Sequence, residues 1–81
     1  MDFHLAFVVA ELDNGLAMVR RATLAYALYD PAEGDAAREA ARSAHSAALR
    51  SMEYIKETDR PDLQAKIDVL EIAIDGLNRP R

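Results

Sequence analysis

The chain is 81 residues long, carries a formal net charge of −4 and has no cysteine. That length makes residues 1–81 a single domain near the lower limit of what folds unaided. The absence of cysteine excludes disulfide staples, thiolate metal sites and a thiol nucleophile. The excess acid is spread evenly, with no basic tail or patch, so nucleic acid is not an expected partner. The longest apolar run, Leu5 to Ala10, is too short to cross a bilayer and follows Asp2 and His4 rather than a basic segment. No membrane partner is expected, and a cytoplasmic location is. Alanine is abundant and arginine outnumbers lysine, a codon signature that suggests a bacterial genome rich in G and C.

The first element is a helix over about 3–29, and it carries two apolar stripes. Leu5, Val8, Val9, Leu12, Leu16, Val19, Thr23 and Tyr26 fall within one band of about 100° on a helix. Phe3, Phe7, Ala10, Asn14, Ala17, Arg21, Leu24 and Leu28 recur at alternating steps of four and three and form a second band nearly opposite. One stripe suffices to join a small bundle. The second needs another surface, either the bundle's own helices wrapped around both sides or a second protein. An asparagine such as Asn14 within such a seam fixes register at some cost in stability.

The second element is a helix over 31–57 or 36–57. Asp30-Pro31 reads as an N-cap followed by proline at the first helical position, and Asp35 is a second candidate cap. Its predicted buried stripe is Ala37, Ala41, Ala44, Ala48, Met52 and Ile55, and small residues along a seam allow close helix approach. The third element is a helix over 60–77, opened by Asp59-Arg60-Pro61 and stopped by Asn78-Arg79-Pro80. Leu63, Ile67, Leu70, Ile74 and Leu77 should face inward, with Val69, Ile72 and Ala73 widening the apolar side. No stretch alternates with period two, so no strand is expected.

The short connections make sequential helices antiparallel. The expected fold is all-α, an up-down-up three-helix bundle. Helix 3 is the shorter, so Tyr26, Leu28 and Tyr29 are expected to lie beyond its cover, as a groove or a further contact for a partner.

Catalysis needs convergent polar groups, and the sequence offers few. His4 and His45 lie on different helices, with no second histidine at metal-ligand spacing. The glycines are isolated, so no phosphate loop forms. Ser43, Ser46 and Ser51 have no neighbouring base and orienting acid. The protein is expected to be no enzyme and to use no metal or cofactor.

Ala44-His45-Ser46 resembles the histidine-phosphotransfer domains of two-component signalling, which implies phosphoryl transfer through His45. The stretch after the histidine departs from that family, because Ala47, Ala48 and Leu49 stand where a lysine and a glycine are usual. In length and in the region from Tyr54 to Leu77 the chain is also similar to three-helix modules that bind helical peptides, such as the microtubule-interacting-and-trafficking domain, without a diagnostic motif. Tetratricopeptide spacing is absent. The favoured reading is a small adaptor, inhibitor or accessory factor that forms a homodimer through helix 1. Its expected contacts are Phe3, Phe7, Ala10, Asn14, Ala17, Arg21, Leu24 and Leu28, with Tyr26 and Tyr29 at the end. The alternatives are phosphotransfer at His45 and a monomeric peptide-binding module.

Overall fold

A computed structural model describes residues 2–79. It contains α1 (Phe3–Ala27), α2 (Pro31–Ser51) and α3 (Arg60–Asp75), with a single 3-10 turn, Met52–Tyr54, closing α2. The fold is an all-α three-helix bundle, and no strand occurs among the described residues.

Side-chain chemistry fixes the helix ends. The Asp2 carboxylate accepts hydrogen bonds from the backbone N–H of His4 and Leu5, satisfying two donors that a helix start leaves open. Asp30 does the same for Glu33, and Pro31 occupies the first turn, so α2 begins at 31 rather than 36.

Three boundaries differ from expectation. Helix α1 stops at Ala27 because Tyr29 adopts φ of 58°, in the left-handed region. There the Asp30 N–H donates to the Ala25 carbonyl and the Tyr29 N–H to that of Tyr26. This is the double bond pattern that usually recruits glycine. Helix α2 ends at Ser51 and not near 57, because Ile55 turns to an extended conformation and drops into the core. The Arg60 guanidinium locks that corner, with Nε donating to the Ile55 carbonyl at 2.8 Å and Nη2 to that of Glu53 at 3.4 Å. Helix α3 ends at Asp75 with Gly76 as its C-cap, two residues early. Pro80, part of the expected stop, lies outside the described residues.

The packing shows the direction of each helix. His4 stacks on Tyr54 with ring centroids 4.7 Å apart, Gly15 lies against Ala44, and Tyr26 lies against Gly34. Residues near the start of α1 therefore meet the end of α2, which makes the pair antiparallel. Gly15 also meets Leu70, and Tyr26 clusters with Leu77, so α3 runs parallel to α1.

The main core joins Val8 and Leu12 of α1, Ala41 and Ala48 of α2, Ile55, and Leu63, Ile67, Leu70 and Ile74 of α3. The alanine stripe of α2 is buried as expected from its spacing. Two glycines make the approach possible. A Cβ on Gly15 would come within 2.6 Å of Leu70 Cδ2, and one on Gly34 would overlap ring carbons of Tyr26.

Candidate interaction surface on the first helix

The bundle buries only one of the two stripes of α1. Val8, Leu12 and Tyr26 are buried, and Leu5, Leu16 and Val19 are half-buried against the core. Val9 and Thr23 sit at its exposed margin, and Thr23 returns its hydroxyl to the Val19 carbonyl. The opposite stripe stays open. Phe3 is 77 % exposed, Phe7 45 %, Leu24 61 % and Leu28 69 %. Ala10 and Asn14 are exposed between them, and Ala17 is half-buried. Helices α2 and α3 therefore lie on the core-facing side of α1 and do not wrap around it.

Two residues of the expected surface have other engagements. Arg21 is exposed, but its Nε pairs with Glu33 of α2 across the helix pair. It stands at the edge of the stripe with its charge partly matched, and an exposed pair of this kind contributes at most about 1 kcal/mol. Tyr26 does not belong to the open surface, for it is 5 % exposed. Its ring fills the space over Gly34, and Oη donates to Asp35 Oδ1 at 2.6 Å.

Residues that follow α3 narrow the expected groove at this end to a shallow cleft bounded by Thr23, Tyr26, Ala27, Gly76, Leu77 and Asn78. Leu77 packs with Ala22, Tyr26 and Ala37, and Arg79 Nε reaches Asp35 Oδ2 at 3.0 Å. The hydrogen bond to Asp35 is the first cause that raises the Tyr26 phenol above its ordinary range. The same bond is the largest cause that holds the Asp35 carboxyl below its ordinary range; desolvation opposes it, and the Arg79 guanidinium adds to the lowering. Leu28 and Tyr29 remain outside this cluster, and Tyr29 is 81 % exposed.

Other exposed apolar side chains are Val69 and Ile72 on α3, Leu49 on α2, and Tyr54. Val69 and Ile72 were expected to widen the inner side of α3. They lie instead beyond its buried edge, because the inward stripe of five residues already fills the single contact α3 makes with the other two helices.

The chemical groups do not converge. Among the described residues no three His, Asp or Glu side chains come close enough to hold a metal ion. His45 lies on the flank of α2 that faces α3, in a shallow groove with Arg42, Ser46, Glu71 and Asp75. Its Nε2 is buried and has no hydrogen-bond partner. His4 is exposed and committed to the stack on Tyr54. Among the described residues no helix is long and apolar enough to cross a membrane.

Set against protein-family models, curated proteins and solved structures, the chain finds no match.

Proposed function

We propose that this protein works by protein–protein association and forms a homodimer through the outward face of α1, as a small adaptor, inhibitor or accessory factor. The observation that carries the reading is the exposed row Phe3, Phe7, Leu24 and Leu28 on one face of one helix. A monomer leaves single apolar residues exposed without consequence, whereas four large ones aligned on one helix face, a pair at each end, form a surface suited to a partner. Full burial of a Phe or Leu side chain contributes about 1.5–3 kcal/mol. A two-fold axis doubles the row and brings the gross gain to the order of 10 kcal/mol. Association costs about 4–15 kcal/mol, so the affinity depends on packing and charge at the seam and falls where dilution resolves it. Two-fold dimers are also the commonest closed assemblies.

The burial of His45 Nε2 argues against phosphotransfer, because a phosphoryl acceptor must be reached from solvent by a second active site. The Tyr26 ring fills the seam between α1 and α2 over Gly34, which argues likewise against a peptide groove between those helices there.

The test is Phe7→Asp and, separately, Leu24→Asp, each measured by sedimentation velocity and far-ultraviolet circular dichroism. Both variants should keep the helical content of the parent and sediment as monomers. Loss of helicity would place these residues in the core and end the proposal.

A further inference from the structure

The open stripe of α1 has the same spacing read in either direction. From Phe3 to Leu28 the steps run four, three, four, three, four, three, four. A two-fold axis across the middle of the helix therefore sets every stripe position of one copy opposite a stripe position of the other. Phe3 meets Leu28, Phe7 meets Leu24, Ala10 meets Arg21 and Asn14 meets Ala17. Small residues fall at the centre and large ones at the ends. That order of sizes suits two straight helices crossing at a small angle. The axes come closest at the middle and diverge outward, where bulkier side chains fill the widening gap.

Charge decides the direction of the second copy. Asp13 and Arg20 lie along the edge of the stripe away from α2, both exposed, and neither forms an ion pair among the described residues. When two helices pack antiparallel, like edges face each other. Asp13 of each copy then lies beside Arg20 of the other, giving two symmetric ion pairs. When they pack parallel, this edge faces the opposite edge, and the register sets Asp13 beside Met18 and Arg20 beside Ala25 of the other copy, neither of which carries a charge. A parallel pair also sets Arg21 against Arg21.

We infer that the partner covering α1 is a second copy of this chain in antiparallel orientation, in the register that places Asp13 beside Arg20 of the second copy. This rests on the association reading above and fixes the partner's direction and contacts. The inward edge of α1 is occupied by α2, so the arrangement places α2 of both copies on the same side of the central helix pair, across the seam from the Asp13–Arg20 pairs.

The absence of native cysteine allows a direct test by oxidative cross-linking. Phe7→Cys and Leu24→Cys are prepared separately, each is oxidised alone, and the two are oxidised as a mixture. The antiparallel register predicts a mixed disulfide between the two variants and little cross-linking of either alone. Homodisulfides of Phe7→Cys and of Leu24→Cys would show a parallel pair and overturn the orientation while leaving the dimer in place. No cross-link in any sample, with the unmodified protein monomeric by mass, would overturn the association reading itself.

A second measurement uses charge. Asp13→Arg and Arg20→Asp should each weaken the dimer about three- to tenfold, and the double variant should recover the parent affinity. Failure of the double variant to recover would also reject this register.

Discussion

The two faces of α1 have similar periodicity and opposite fates. Both carry apolar residues at helical spacing along nearly the whole element, yet one is the centre of the bundle and the other meets solvent. What separates them is polarity and one close approach. The inner face is apolar through its middle, and Gly15 beside it lets Leu70 and Ala44 close against the backbone. The outer face is interrupted by Asn14 and Arg21, polar groups that a bundle of this size has no second layer to satisfy. Periodicity reports that a face is to be covered. The polar interruptions and the glycine beside the core report which face the chain covers itself.

This contrast is broken most strongly by substitutions that treat the two faces alike. Leu70→Ala on the inner side opens a cavity where the side chain is fully buried, and should cost about 2–5 kcal/mol in denaturant unfolding. Leu24→Ala on the outer side should change monomer stability by less than about 0.5 kcal/mol while weakening self-association. Equal losses at the two sites would erase the distinction.

The glycines give the next largest effect. Gly34→Ala pushes a Cβ into the Tyr26 ring and should destabilise the fold by about 1–3 kcal/mol in thermal melting, although alanine is intrinsically the better helix former. Tyr26→Leu in the same background should recover part of that loss, because a smaller side chain leaves room for the added methyl group.

At Tyr29 the expected change has the opposite sign. A tyrosine in the left-handed region is strained, so Tyr29→Gly should stabilise the monomer by up to about 1 kcal/mol. The strained ring is also exposed beside Leu28 at the end of the open stripe. If Tyr29 is part of the partner contact, the same variant loses affinity as it gains stability.

The smallest effect concerns acid. Asp35 is held below its ordinary value of 3.8 first by the Tyr26 hydroxyl and then by Arg79. A carboxyl lowered in the folded state contributes stability that is present above the unfolded value and is lost as pH falls through the folded one. Asp35→Asn should therefore lower the melting temperature slightly at pH 6, and the difference from the parent should shrink below about pH 4. The carboxylate is partly exposed, which keeps the effect small.

Most of the fold was legible because the helices follow local rules. The alanine stripe of α2 and the inward residues of α3 stand at their expected positions, and Asp30 and Pro31 mark the start of α2. The misread places depend on contacts distant in sequence. The spacing places Tyr26 in both the core stripe and the open end, and its burial follows from Gly34 and from Leu77, far along the chain. The end of α2 depends on Arg60 capping carbonyls from the next helix. Tyr29 ends α1 without the glycine that ordinarily signals such a stop. At the open face, the stripe itself was visible in the spacing, but the edge charges Asp13 and Arg20 acquire meaning only once α2 is known to occupy the other edge.

The most direct test is the molar mass of the unmodified chain by light scattering behind a sizing column, across a hundredfold dilution. The account predicts a mass of about twice 9.0 kDa at high concentration, falling toward that of one chain on dilution, with Phe7→Asp monomeric throughout. A mass of one chain at every concentration, identical for parent and variant, would contradict it.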